Sequence, residues 1–112
     1  MPNYNSSLDR VFHALADPTR RAVIERLCIG PASVSDLAQP FHMALPSFSQ
    51  HLDVLEACGL VTSRKSGRVR VCRLAPRRLV AAERWMEKQR AHWERRLGQL
   101  ADYHSPLTEQ RQ

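Results

Sequence analysis

A run of short polar side chains follows Leu45 and has the kinds of groups that hydrogen-bond to nucleic-acid bases. A helix over residues 45–58 would carry on its exposed side Ser47, Ser49, Gln50 and Asp53, with His51 towards the border. The Gln50 amide can pair bidentately with adenine, and hydroxyl and imidazole groups can bond to bases or phosphates. The same pattern also fits a solvated helix face without a partner. What surrounds this helix decides between the two interpretations.

Five positive charges lie within ten residues just downstream of that helix, namely Arg64, Lys65, Arg68, Arg70 and Arg73. Alternating apolar and charged residues predict a β-hairpin in which Val69 and Val71 face inward while Arg68 and Arg70 face outward. Such a hairpin can lie along a phosphate backbone or enter a minor groove. Positive charge also protects edge strands from aggregation. Five charges at one tip exceed what that protection requires, so the hairpin favours the nucleic-acid interpretation.

The whole chain is small and basic. It has 112 residues, of which 17 are Lys or Arg and 11 are Asp or Glu, giving a formal net charge of +6 and a pI near 10.0. Neutralising phosphates releases counterions and drives association, so this excess fits a polyanionic partner, with simple solubility as the alternative. A composition of 43% hydrophobic and 25% charged residues is that of a globular protein rather than a disordered one.

Cysteine usage and hydropathy indicate where the chain acts. Cys28, Cys58 and Cys72 form an odd, widely spaced set, unlike the even disulfide framework of small secreted domains. No apolar run approaches the roughly 20 residues that span a bilayer. The amino-terminal residues also lack the basic-then-apolar order of a signal peptide. We therefore expect a cytoplasmic protein with reduced thiols and no membrane partner.

Capping residues divide the first third of the chain into short helices. Ser6 or Ser7 can cap a first helix, and Asp17 can cap a second, with Pro18 at a position that needs no amide donor. Ser33 begins a short third helix in a capping-box-like pattern. Three short helices therefore precede the polar run.

The fourth helix is the one that carries the polar run. It begins near Leu45–Pro46 and runs to Cys58, with Gly59 as its stop. Its other side is apolar and is expected to pack against the core through Leu45, Phe48, Leu52 and Leu55. The hairpin strands surround a turn at residues 65–67, and a long fifth helix covers about residues 77–103.

These elements predict a mainly α fold with a small β-hairpin wing, a winged helix-turn-helix with a long carboxy-terminal dimerisation helix. Residues 6–104 would form this DNA-binding and dimerisation domain, between a disordered leader at 1–5 and a flexible tail at 105–112. The helix at 45–58 would enter the major groove. The wing at 64–73 would lie on the backbone or in the minor groove.

The last helix is too long for a small domain to cover on both faces. An isologous interface with the first helix would bury its apolar stripe and both tryptophans. The expected interface residues are Leu8, Phe12, Trp85, Met86, Trp93, Leu97 and Leu100. The alternative is that the tryptophans fold back on their own domain. In a two-fold dimer, reading helices about one DNA turn apart, roughly 34–36 Å, would require a near-palindromic site.

Three motifs closely resemble those of the ArsR family of bacterial winged-helix repressors, and the resemblance covers nearly all of residues 7–103. They are LADPTRRAVIERL near the start, DLAQPFHMALPSFSQHLDVLEACGLV in the middle and GRVRVCRL in the wing. The resemblance implies a homodimer built on the first and last helices, with the fourth helix as the DNA reader. It also implies repression of a nearby operon.

The chain departs from the resembled family at two places. Metal-sensing members carry a CxC pair in the third helix, but here the segment is Ser33-Val34-Ser35, so the thiolates that ligate soft metals are absent. We therefore expect no metal site and no cofactor. Asp53 stands where the family often has a basic residue. An acid near phosphates costs affinity unless it accepts from cytosine or pairs with an arginine.

Other functional classes remain as alternatives. The main one is a winged-helix module that binds an acidic protein partner without specific DNA binding. An enzyme is not expected, because no nucleophile, base and orienting residue form a catalytic set. Within the repressor interpretation, the sequence leaves open whether a small-molecule inducer, a redox signal or autoregulation without a ligand controls release from DNA.

Overall fold

The computed structural model describes residues 6–103, and these form five helices and three strands. In chain order they are α1 (Ser7–Leu15), α2 (Pro18–Leu27), β1 (Ala32–Ser33), α3 (Val34–Ala38), α4 (Leu45–Ala57), β2 (Val61–Ser66), β3 (Val69–Leu74) and α5 (Arg77–Tyr103). The predicted fold class is confirmed, with a helical body, a small sheet and a long last helix. The leader at 1–5 and the tail at 105–112 lie outside the described residues, as does residue 104.

The first three helices begin at the capping side chains that the sequence indicates. Ser6, Asp17 and Ser33 each accept a hydrogen bond from the backbone amide three residues further on, at 3.0–3.2 Å. Pro18 is the first residue of α2. A backbone amide at this position makes no hydrogen bond within the helix, so proline loses nothing by lacking the amide proton. Local sequence therefore determines where α1, α2 and α3 start.

Helix α4 ends at a glycine that no other residue could replace without strain. Cys58 is the C-cap, and Gly59 follows with φ of +81°. The Leu60 amide then bonds to the Leu55 carbonyl at 3.0 Å, which closes the helix end. A Cβ at Gly59 would also lie 3.2 Å from side-chain atoms of Arg78. The predicted stop at Gly59 is confirmed.

The sheet contains one strand more than the predicted hairpin. Its order is β1-β3-β2, and all pairs are antiparallel, with Ser33 of β1 opposite Val71 of β3. The two residues of β1 are too few for any hydropathy period, so the sequence did not reveal it. The hairpin turn also lies further along than predicted. Ser66 pairs with Val69, and Gly67 with φ of +63° begins a two-residue turn.

The described residues fall into two compact units, residues 6–82 and residues 83–103. The first unit contains α1 to α4, the sheet and the first turn and a half of α5. Its largest fully buried side chains are Val11, Val23, Phe48, Leu52, Leu55, Leu60, Val61 and Cys72. The second unit consists of the remainder of α5. The core that positions α4 and the hairpin therefore lies within the first unit.

Three predictions of inward-facing residues are wrong. Val69 is 49% exposed and Val71 is only half-buried, because β3 alternates about the buried Cys72, so Arg70 shares the inner side of the strand and the two valines lie on the other side. Leu45 is 57% exposed. It is the first residue of α4, and helical side chains lean towards the amino terminus, so Leu45 points past the helix end.

Candidate nucleic-acid interface

Helix α4 presents a polar face opposite a fully buried one. Phe48, Leu52 and Leu55 are at most 1% exposed and hold the helix against the core. Ser47 and Gln50 are exposed, while Ser49 and His51 are half-buried. Of the four predicted reading residues, the structure therefore exposes Ser47 and Gln50, while Ser49 and His51 lie at the two borders between the polar and the buried face of α4.

His51 is tied to the start of α2 by a polar cluster. Its Nδ1 atom lies 3.2 Å from Nη1 of Arg20 and 3.7 Å from Oδ2 of Asp17. Arg20 also donates through Nε to the Ala14 carbonyl at 2.8 Å and through Nη2 to the His13 carbonyl at 3.2 Å. The guanidinium thus joins the end of α1 to helix α4, which is an internal role that the sequence did not indicate.

The same cluster changes the acidity of Asp17. The backbone amide of Arg20 donates to the carboxylate and lowers the pKa of Asp17, and the charges of His51 and Arg20 act in the same direction. Partial burial opposes this shift but does not cancel it. The carboxylate that caps α2 is therefore held in its charged form.

Asp53 also lies on the outward part of α4. Its side chain is exposed and makes no ion pair within residues 6–103. An arginine therefore does not neutralise Asp53 within the described residues.

The hairpin separates its cations onto different sides. Arg64, Lys65 and Arg68 are exposed, and Arg68 lies in the turn itself. Arg73 is exposed as well. Arg73 lies on the same face of the hairpin as Arg64. Arg73 pairs with Thr62, Arg64 pairs with Val71, and alternate residues of one strand share a face.

Arg70 differs from the other hairpin cations, because it is bound within the protein. Its Nη2 lies 2.6 Å and 2.7 Å from the two carboxylate oxygens of Glu56, and its Nε donates to Oγ of Ser63 at 2.8 Å. The prediction that Arg70 faces outward is wrong in this respect. Alternate residues of a strand share a face, so the apolar Cys72 places Arg70 on the inner side. This signal was present in the sequence. Glu56 was not singled out at all.

The cysteines are free thiols in different surroundings. Cys28 is exposed, whereas Cys58 and Cys72 are buried. Burial raises the pKa of Cys72, and the nearby Glu56 carboxylate adds to the effect, so this thiol stays protonated at neutral pH. Within residues 6–103, His, Cys, Asp and Glu side chains form no group of three or more that could hold a metal ion.

The second unit carries an apolar stripe along α5. Met86, Trp93, Leu97 and Leu100 recur at helical spacing and so share one side of the helix, with Trp85 beside them. All five are between 44% and 61% exposed. The other two predicted interface residues, Leu8 and Phe12, are partly buried against the core of the first unit. No helix in the described part of the chain is long and apolar enough to cross a membrane.

A recognition-type helix preceded by a shorter helix and followed by an antiparallel wing defines the winged helix-turn-helix class. Comparison with known proteins refines that class. A family model described as bacterial regulatory protein, arsR family, matches residues 17–63. The HTH-type transcriptional regulator Rv2034 of Mycobacterium tuberculosis is 47% identical over 81 residues, which are 72% of this chain and 75% of that protein. The transcriptional repressor SdpR of Bacillus subtilis is 33% identical over 60 residues, which are 54% of this chain and 67% of that protein.

Solved structures agree with the sequence relatives. The crystal structure of the ArsR family transcriptional regulator RHA00566 superposes with a TM-score of 0.76 at 50% identity, covering 80% of this chain and 98% of that one. The homodimeric winged helix-turn-helix DNA-binding domain of Mb0332 from Mycobacterium bovis superposes with a TM-score of 0.59 at 26% identity, covering 81% and 82%. The chain belongs to the arsR family of bacterial regulatory proteins. It is a transcription regulator with a winged helix-turn-helix DNA-binding domain, and not an enzyme.

Proposed function

We propose that the chain is a homodimeric repressor that acts in the cytoplasm on a near-palindromic operator. The observation that carries this proposal is the outward polar side of α4 next to an exposed cationic wing in the same compact unit. Such a pairing supplies a groove-reading element and a phosphate-binding element together. The similarity to the repressor SdpR supports the direction of regulation. Release from the operator then depends on a signal still to be identified, or the repressor acts by autoregulation.

Helix α4 is the proposed major-groove reader. Ser47 and Gln50 are exposed on its polar face, and Ser49 is half-buried at the edge of that face. His51 uses Nδ1 inside the protein, which leaves Nε2 to contact a base or phosphate. Short side chains let a helix approach the base edges closely, and the Gln50 amide matches the paired donor and acceptor of adenine.

The wing is the proposed backbone or minor-groove contact. Arg64, Lys65 and Arg68 are exposed and form no ion pair within residues 6–103. Each can therefore neutralise a phosphate without first giving up an internal partner. Cations of this kind strengthen binding to any sequence and make it sensitive to salt.

A second copy of the chain is the proposed occupant of the α5 stripe. Five large apolar side chains on one short helical unit are more than a soluble surface usually exposes together. The likeness to a solved homodimeric domain supports an isologous pairing through this helix, with Leu8 and Phe12 of α1 contributing. Two reading helices related by a two-fold axis would engage half-sites about one turn apart, roughly 34–36 Å.

Two alanine variants test the assignment of reader and wing. Gln50→Ala is expected to relax the preference for particular bases, while Arg68→Ala is expected to weaken binding to all duplexes and to reduce the salt slope by about one unit. Fluorescence anisotropy with the upstream DNA of the chain's own gene, and with duplexes altered one base pair at a time, measures both effects. Uniform loss of affinity in both variants would contradict the assignment. Failure of the wild-type chain to bind duplex DNA at low salt would refute the proposed repressor function.

A further inference from the structure

The contact between Glu56 and Arg70 joins the two elements that are proposed to touch DNA. Glu56 lies in the last turn of α4, and Arg70 lies on β3 of the wing. One guanidinium nitrogen contacts both carboxylate oxygens at 2.6 Å and 2.7 Å. The Nε atom of the same guanidinium bonds to Ser63 on the neighbouring strand β2 at 2.8 Å. A single side chain therefore connects the reading helix to both strands of the hairpin.

The contact with Glu56 makes the positive charge of Arg70 less available to a phosphate. Its positive charge is compensated by Glu56 at hydrogen-bond distance, and the two side chains are only 41% and 25% exposed. Any phosphate bound by the remaining N–H groups of Arg70 would lie close to the Glu56 carboxylate, whose negative charge opposes that contact. Arg68 meets no such opposition, because it is exposed in the turn and makes no ion pair within residues 6–103. The two arginines are close in sequence but differ in availability.

We infer that Arg70 is a positioning residue, which together with Glu56 holds the wing at a fixed angle to α4 so that both elements reach one duplex at once. This inference rests on the proposed DNA-binding function. If the angle were free, part of the binding free energy would be lost in ordering the wing each time DNA is bound. Arg70 then contributes to affinity without neutralising a phosphate. Its contribution is independent of DNA sequence and of counterion release.

The salt dependence of binding distinguishes positioning from phosphate contact. Each lost phosphate contact reduces the slope of log affinity against log salt by about 0.9 on duplex DNA. Arg70→Gln is expected to leave the slope at its wild-type value and to weaken binding roughly twofold to fivefold, as suits a partly exposed ion pair with good geometry. The matched control Arg68→Gln is expected to lose about 0.9 of slope.

Glu56→Gln gives the sharper test, because the two roles predict opposite signs. If Arg70 bound phosphate, removing Glu56's negative charge would free the arginine and reduce repulsion of DNA, so binding would tighten. If the pair positions the wing, Glu56→Gln weakens binding instead, although less than Arg70→Gln does, because loss of the carboxylate charge also reduces repulsion of DNA. The double variant is then no weaker than Arg70→Gln, since both substitutions remove one shared interaction. The exchanged pair, Glu56→Arg with Arg70→Glu, is expected to bind more tightly than either reversal alone.

These measurements separate the inference from the function on which it rests. Thermal unfolding of each variant without DNA identifies any loss of affinity that merely reflects unfolding. Tighter or unchanged binding by Glu56→Gln, or a slope loss in Arg70→Gln equal to that in Arg68→Gln, would overturn the positioning role while the wild-type chain still bound DNA. Failure of the wild-type chain to bind any duplex would instead remove the proposed function, and the inference with it.

Discussion

Truncating Trp93 is expected to weaken the proposed dimer strongly. Trp93 is 61% exposed in the single chain and is the most exposed member of the α5 stripe. A tryptophan side chain buries up to about 250 Å², so roughly 150 Å² of it is available to a partner. Burial stabilises by about 25 cal/mol per Å² of apolar area. After subtraction of the area that alanine retains, the substitution removes roughly 3 kcal/mol of association free energy for each protomer.

In an isologous interface both protomers contribute Trp93, so the loss of association free energy occurs twice. The upper limit for Trp93→Ala is therefore roughly 6 kcal/mol per dimer, and burial of half the available area gives roughly 3 kcal/mol. A change of about 3 kcal/mol raises a dissociation constant about 100-fold. Because alanine is the better helix former, the substitution is not expected to unfold α5.

Sedimentation velocity over a dilution series measures this dissociation constant directly. Lys88→Ala is a suitable control, since Lys88 is exposed on the same helix but lies away from the apolar stripe. Circular dichroism establishes that both variants keep their helix content. A Trp93→Ala protein with the same dissociation constant as the Lys88→Ala control would show that the stripe does not form the interface.

Two further predictions concern stability. Gly59→Ala is expected to destabilise the fold by about 1–2 kcal/mol, because alanine is strained at positive φ and its Cβ would press on Arg78; denaturant unfolding measures this, and an unchanged midpoint would contradict it. Asp17→Ala is expected to cost about 0.5–2 kcal/mol by removing the α2 cap. Because folding lowers the pKa of Asp17 below 3.8, its charge-linked contribution is fully present above that pH and is lost as the pH falls through the folded pKa. The difference between Asp17→Ala and wild type should therefore shrink in acid, and a constant difference down to low pH would refute the electrostatic part of the argument.

Local signals made most of the fold predictable. Helix caps depend on one side chain and the amide three residues away, so Ser6, Asp17 and Ser33 were recognisable without any tertiary information. The stop at Gly59 is likewise a property of one backbone position. The α4 polar run was predictable because helical period separates it from Phe48.

The errors and omissions arose where a side chain's environment depends on distant elements. Arg20 and His51 are 31 residues apart in sequence and meet only when α2 and α4 pack together. Glu56 and Arg70 belong to different kinds of element, and no single period relates them. The two residues of strand β1 form a strand by hydrogen-bonding to the edge of β3, which is about 40 residues away in sequence. Arginine-rich composition predicted a cationic wing, but it could not indicate that one of those arginines has an internal partner.

Ser33 has two roles, and together they limit how the wing can vary. Its backbone pairs with Val71 on β3, while its hydroxyl caps α3 at the start of the helix-turn-helix. The middle of strand β3 is thereby joined to the start of α3. The turn at the tip is less constrained, since nothing lies within 4 Å of a Cβ added at Gly67. We expect insertions there to lengthen the wing while the orientation of α4 stays the same.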